Sequence, residues 1–246
     1  MNTAAANISP QMTSVQAPFT YVADGCATVH NCDFVRDPKF AESYRQGIAT
    51  ISHQRPDLHV EWRTYTACWA VAHGMKLEGD LVECGVNTGI YSKAAMVYVD
   101  FEKHQDRLFW LLDTYQGVPE TQMSASEIAQ GKPRSNAKYP DCYEAVKQTF
   151  SSYPNARVVR GMVPDTLSQV TSEKIAYLSI DMNIVHPEIA AANFFWDKLV
   201  RGAVVLIDDY GFAAHYDQKL AFDAFAKEKS VPILPLPTGQ AIIIKP

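Results

Sequence analysis

The chain has 246 residues, 47% of them hydrophobic, and a formal net charge of -5. A single core of this size buries roughly three quarters of the surface its unfolded chain exposes, so one substantial α/β domain is expected and two full domains would be cramped. The acidic balance and the absence of any Lys/Arg cluster argue against nucleic acid or an anionic membrane as the main partner, since both need a concentrated basic footprint, and favour a small molecule.

Residues 1–35 hold no Lys or Arg and open with a small, polar stretch, MNTAAANISPQMTSVQAP. They read as a flexible tail without the features of a secretory signal or transit peptide. Residues 36–78 read as an N-terminal helical cap, with Ala67, Trp69, Ala70 and Val71 on an apolar face before Gly74 and Gly79 break the run. The five cysteines are odd in number and contain no CxxC pair, so neither a zinc site nor a disulfide framework is indicated; reduced thiols suggest the cytoplasm. No run approaches the ~20 apolar residues of a membrane span.

From residue 79 onward one grammar repeats. Asp80 to Glu83 leads into Cys84-Gly85 and a helical stretch through Val99; Leu108 to Leu112 ends at Asp113, and Ala156 to Val159 at Arg160-Gly161. Tyr177 to Ile180 then ends at Asp181, and Ala203 to Ile207 at Asp208-Asp209, with helical segments around 142–153, 187–200 and 216–228. Such alternation predicts a mainly parallel sheet with helices on both faces. The last segment, Val231 to Leu236, turns through Pro237-Thr238-Gly239-Gln240 into Ala241 to Ile244. That is a hairpin whose proline-bearing first arm belongs at an edge and whose apolar second arm belongs inside. A parallel sheet finished by an antiparallel strand tucked inside a new edge strand is the arrangement of class I methyltransferases: a Rossmann-like, seven-stranded α/β sheet.

In open α/β sheets ligands bind beyond the carboxyl ends of the strands. Glu83, Asp113, Asp181, Asp208 and Asp209 all fall there, and so much negative charge calls for cations. The turn Glu83-Cys84-Gly85-Val86-Asn87-Thr88-Gly89 resembles the glycine-rich first motif of enzymes that use S-adenosylmethionine (SAM), where backbone approaches the cofactor and a helix amino terminus follows. Residues 79–246 are therefore read as the SAM-binding domain. Glu83, Gly85, Val86, Asn87, Gly89, Tyr91 and Ser92 are its expected cofactor loop and helix start, and Asp113 is placed to accept from ribose hydroxyls. A bare strand-to-helix turn and a simple turn cap are the alternatives. Asp181, Asp208 and Asp209 would supply a hard divalent cation such as Mg²⁺ with oxygen ligands, or would cap the following turns. His186 and His215 lie near these acids in sequence and are, with Asp181, candidate proton acceptors, although a surface or capping role suits each histidine as well. Phe194-Phe195-Trp196 is expected in the core.

Taken together, Gly79 to Val86, Val159-Arg160-Gly161 with Asp165-Thr166-Leu167, Ser179-Ile180-Asp181 and Gly202 to Tyr210 resemble the macrocin O-methyltransferase family, in order, from about residue 60 to 228. The resemblance implies Mg²⁺-dependent methyl transfer from SAM to a hydroxyl, often on a natural-product sugar, by homodimers or larger homo-oligomers. It places Gly161 and Met162 near the adenine, Asp181 at both the cofactor and the metal, and Asp208 and Asp209 on the metal. The chain departs from the family after Asp181, where Met182-Asn183-Ile184-Val185-His186-Pro187 replaces the usual Gly-Asp-Leu-Tyr-Glu pattern. The stretch from Thr114 to Pro140 exceeds the ~12 to 15 residues usual for a structureless connection and reads as a lid; its Gln122, Ser124, Ser126, Lys132 and Arg134 suit a hydroxylated acceptor. Two other classes compete. A nicotinamide-dependent oxidoreductase would want G-x-G-x-x-G, where this chain has G-x-x-x-G after an acid; a non-catalytic binding protein would keep the fold without the chemistry.

Overall fold

A computed structural model describes residues 18–246. The first described elements are β1 (Tyr21–Ala23) and β2 (Cys26–Thr28), an antiparallel hairpin. Asp24 and Gly25 turn it with φ of 52° and 73°, the positive angles that an Asp-Gly hairpin turn supplies. Tyr21 sets its ring edge against Trp62, with centroids 5.6 Å apart, and Phe34 lies against Phe40, Trp62 and Tyr65. The latter half of the expected tail is thus built onto the protein by aromatic packing, while residues 1–17 of it lie outside the described residues.

Two helices follow. Helix α1 (Pro38–Ile48) starts on Asp37, whose side chain accepts from Phe40 N, with proline at the first helical position. Helix α2 (Glu61–Gly74) buries Ala67, Cys68, Ala70 and Val71 in the same core as Leu81, Phe109, Leu111 and Tyr177 of the sheet. Trp69 does not share that face; it is exposed and stacks on His73.

The sheet has seven strands in the order β5-β4-β3-β6-β7-β9-β8: β3 (Asp80–Cys84), β4 (Phe109–Asp113), β5 (Ala156–Arg160), β6 (Ile175–Ile180), β7 (Leu199–Ile207), β8 (Leu234–Pro235) and β9 (Ala241–Ile244). Strands β3 to β7 pair in parallel, and β9 pairs antiparallel with both β7 and β8. The apolar arm is therefore internal and the proline-bearing arm is the edge, as the composition demanded, although only two residues of that arm are strand. The predicted helix over 187–200 overran, because β7 begins at Leu199; α6 is Val185–Trp196.

Side chains alternate between the faces. One face buries Leu81, Phe109, Leu111, Val204 and Leu206 beneath α1, α2, α3 (Ile90–Tyr98) and α5 (Tyr143–Phe150). The other buries Val82, Cys84, Leu112, Leu178, Ile180 and Val205 beneath α6 and α7 (Tyr216–Lys229). Phe195 and Trp196 are core residues of that second face, whereas Phe194 is exposed.

The register brings the strand ends level. Cys84 pairs with Leu112 on one side and Ile180 on the other, and Ile180 pairs with Ile207. The bonding continues one residue past the strands: Gly85 N donates to Leu112 O, Asp181 N to Cys84 O and Asp208 N to Ile180 O, at 2.8–3.0 Å. The residues that follow each strand are thus held in one row.

Candidate active site

A cavity opens above that row, lined from β3 by Glu83, Gly85, Val86 and Asn87, from α3 by Tyr91, and from β4 by Asp113. Beyond β6 and β7 it is lined by Asp181, Asp208, Asp209 and His215, and across its mouth by Val118, Gln122 and Tyr139.

At the β3–β4 end the turn is fixed by close approach. Gly85 has φ of 93°, and a Cβ there would lie 1.8 Å from the carbonyl oxygen of Asp181. Only glycine allows the two strand ends to meet this way. Asn87, where a middle glycine often stands, has φ of 49°, a left-handed conformation that asparagine tolerates. Asp113 pins the turn: its Oδ2 accepts from Val86 N and Asn87 N, both at 2.7 Å, and its Oδ1 from Tyr115 N at 2.6 Å and Thr114 Oγ1 at 3.3 Å. Glu83 is buried and accepts from Ser92 Oγ. Burial, with Asp113 and Asp208 close by, holds its carboxyl well above the usual range.

At the β6–β7 end, Asp181, Asp208 and Asp209 each present a carboxylate oxygen within 4.8 Å of the others. Desolvation first, then the charges of Asp208 and Asp209, push Asp181 well up, and burial also raises Asp208. A cation is already partly supplied. Arg63 of α2 donates from Nη1 to Asp208 Oδ2 at 2.9 Å and grips Asp24 of the hairpin through Nε and Nη2, at 2.5 and 2.8 Å. Gln240 Nε2 holds the other Asp208 oxygen at 2.9 Å. Among the described residues the Asp181 carboxylate is far less engaged, receiving only Asn183 Nδ2 at 3.4 Å. Three hard oxygen donors this close, one of them nearly free, fit a small divalent cation.

Around this cluster lies a network that sequence reasoning missed. Glu188 of α6 is fully buried; its Oε1 accepts from Met182 N at 3.1 Å and Gln218 Nε2 at 2.9 Å. Burial and the charge of Asp209 push its carboxyl up to about 8. Gln218 reaches Asp209 Oδ2 at 3.4 Å, and its Oε1 lies 2.7 Å from His215 Nδ1 and accepts from Lys132 Nζ at 2.9 Å. Lys132 comes from the segment between β4 and α5. Residues 114–140 are not a bare loop: they hold α4 (Ala125–Ala129) between two turns of 3₁₀ helix. Glu127 of α4 closes a capping box with Ser124, and its other oxygen accepts from Val185 N at 2.8 Å, docking the segment on the start of α6. The Ser-x-x-Glu spacing at 124–127 was a readable signal for α4, as Asp24-Gly25 was for the hairpin.

Of the residues singled out from sequence, Glu83, Gly85, Val86, Asn87, Tyr91, Asp113, Gly161, Asp181, Asp208, Asp209 and His215 share the cavity wall. Gly89 and Ser92 stand behind it, Gly89 capping α3 and Ser92 bonding Glu83. Two do not belong. Met162 is 39% exposed and off the wall, because the chain past Gly161 turns its side chain outward. His186, in the first turn of α6, is exposed while its neighbours Pro187 and Glu188 face inward. Proximity in sequence to Asp181 did not carry it into the site.

Strand order and hairpin finish, with acids gathered along one row of strand ends, define a class I methyltransferase fold. The profile of the macrocin-O-methyltransferase family matches residues 62–235, and the chain belongs to that family. It is similar, at 27% identity over 150 residues, to a 4'-O-methyltransferase of a rhamnosyl-tetracenomycin from Streptomyces olivaceus, the match covering 56% of each chain. At 24% identity over 143 residues it is similar to the mycinamicin III 3''-O-methyltransferase of Micromonospora griseorubida, covering 54% of this chain and 55% of the relative. The matched region is thus little more than half the length of either relative. Among solved structures, the O-methyltransferase NovP shares the fold with a TM-score of 0.69 at 22% identity, over 85% of this chain and 91% of that one. Among the described residues no helix is long and apolar enough to cross a membrane.

Proposed function

We propose that this protein transfers the methyl group of SAM to a hydroxyl oxygen of a small molecule, a natural-product sugar being the favoured acceptor. We propose further that it does so in the cytoplasm, as a homodimer or larger homo-oligomer. The observation that carries the reading is the meeting of the glycine turn and Asp113 with the three-aspartate cluster in one cavity. Family membership and the relatives' sugar acceptors support it.

In this reading Gly85, Val86 and Asn87 present backbone to the cofactor, and Glu83 takes a cationic group that restores its charge. Asp113 binds the ribose; the 3.3 Å bond from Thr114 Oγ1 is the one a ribose hydroxyl would replace. Asp181, Asp208 and Asp209 would hold Mg²⁺, which when bound lowers the pKa of a coordinated hydroxyl and orients it. The protein's remaining work is alignment of oxygen, methyl and sulfur, for which positioning supplies ~7 to 11 kcal/mol. His215 is the better-placed proton acceptor. Its Nδ1 lies 2.7 Å from Gln218 Oε1, 3.0 Å from Lys132 Nζ and 3.2 Å from Asp209 Oδ2, contacts that orient the ring beside the aspartate cluster.

Isothermal titration with S-adenosylhomocysteine, with and without Mg²⁺, tests the cofactor reading without knowledge of the acceptor. Micromolar binding is expected, and no binding under either condition would overturn it. Methyl transfer that is indifferent to EDTA would remove the metal. His215→Ala is expected to slow transfer by about 10²–10⁴-fold with cofactor binding unchanged.

A further inference from the structure

Arg63 stands on the cavity wall, yet its charge is divided. Nε and Nη2 clamp Asp24, at the turn of the β1–β2 hairpin, while Nη1 donates to Asp208 Oδ2 at 2.9 Å. The side chains of Arg63, Asp24 and Asp208 are 15%, 11% and 5% exposed, so water screens little of what passes between them. The hairpin has further holds on the same turn of helix: Tyr21 OH donates to Glu61 Oε2 at 3.2 Å, and its ring meets Trp62 edge-on. Three consecutive residues, Glu61, Trp62 and Arg63, thus grip β1 and its turn, and the last of them also reaches the acidic cluster.

A divalent cation at Asp181, Asp208 and Asp209 would change this arrangement. Gln240 Nε2 holds the Asp208 oxygen that Arg63 leaves, so whichever oxygen turns to the cation, the guanidinium stays a carboxylate's width away. Like charges at that range repel. A guanidinium keeps its proton at any working pH and cannot relieve the repulsion by neutralising; it can only shift its hold onto another acid. Asp24 is that acid. Without it, Asp208 would be the one carboxylate bonded to Arg63 among the described residues, and the cation would have to compete with Arg63 for it.

Resting on the metal reading above, we infer that Asp24 and Arg63 are a positioning pair that sets the affinity of Asp208 for a divalent cation and couples it to docking of the N-terminal hairpin. Asp24 draws the guanidinium off Asp208 as the cation arrives, and the cation in turn tightens the grip of Arg63 on Asp24. Coupling between two sites is reciprocal, so each event favours the other to the same extent. The hairpin thereby tunes the acidic cluster although Asp24 itself stands outside the cavity wall.

The test is isothermal titration of the full-length protein with Mn²⁺, a hard cation suited to carboxylate oxygen, joined to hydrogen exchange at the amides of residues 21–28 with and without it. Wild type is expected to bind Mn²⁺ and to slow exchange in the hairpin when loaded. Asp24→Asn should weaken Mn²⁺ binding about tenfold and abolish that slowing. In an Arg63→Met background, Asp24→Asn should change the affinity by less than about twofold, because its effect runs through the guanidinium. A tenfold loss that persists there would overturn the inference, since Asp24 would then act by its own charge or by stability alone. So would an Asp24→Asn protein that binds Mn²⁺ as wild type does. Should Arg63→Met fail to fold, the wild-type exchange and the Asp24→Asn titration still decide. If wild type binds no Mn²⁺, the metal reading fails and this inference falls with it; if it binds Mn²⁺ while the hairpin is indifferent, only this inference falls.

Discussion

At the β3–β4 end of the cavity the groups on its wall are held by backbone: strand-end bonds to Gly85 and Asp181, and three main-chain N–H donors on the Asp113 carboxylate. At the β6–β7 end they are held by side chains arriving from distant elements, with Arg63 from α2, Lys132 from the segment between β4 and α5, Glu188 from α6, Gln218 from α7 and Gln240 beside β9. The first end is rigid because its geometry is the sheet's own. The second is an electrostatic assembly, stable only while each buried charge keeps its partner.

The largest expected effect breaks the backbone-held end. Gly85→Ala must place a Cβ inside the contact with Asp181 O at a φ of 93°, and should cost more than about 4 kcal/mol in urea denaturation. A folded, near-wild-type variant would show that the strand ends are not locked. Next is the side-chain end. Arg63→Met leaves Asp208 and Asp24 without their shared cation and should cost about 3–5 kcal/mol in metal-free protein. Adding Asp208→Asn should return part of that loss, and a loss under about 1 kcal/mol would mean that the ion pair is solvated and weak.

A third prediction uses pH. Glu188, held near 8 by burial beside Asp209, keeps its proton when folded and loses it when unfolded above the ordinary glutamate value near 4.5. Between those values the native state binds more protons than the unfolded chain, so stability falls as pH rises, by up to about 1.4 kcal/mol per unit. Metal-free wild type should therefore show a declining melting temperature from pH 5 to 8, and Glu188→Gln a flatter one; identical slopes would refute a protonated Glu188. The smallest effect is at the excluded histidine. His186→Ala should change stability by no more than about 0.5 kcal/mol and leave methyl transfer within twofold. A large rate loss would return His186 to the site.

The same contrast explains what could be read in advance. Acids at the ends of apolar runs announce a sheet whose carboxyl edge binds ligand, since the run, the turn and the acid are adjacent in the chain. Asp113, Asp181, Asp208 and Asp209 were legible for that reason, and so was the place of β9 inside β8. The hairpin at residues 21–28 was overlooked although Asp24-Gly25 signals it, because each arm is only three residues long. Met162 and His186 were misplaced because neighbours in sequence diverge once a turn or a helix start sets their directions.

Sequence alone determined the layers, the strand order's finish and the edge on which the acids gather, because periodicity and turn chemistry are local and each is repeated several times along the chain. Only the tertiary structure decided that Arg63, a helix residue with no motif around it, neutralises an aspartate 145 positions away, and that Glu188 and Gln218 buttress the acidic cluster. Such pairings are set by burial and by where separate elements dock, and no spacing along the chain encodes them.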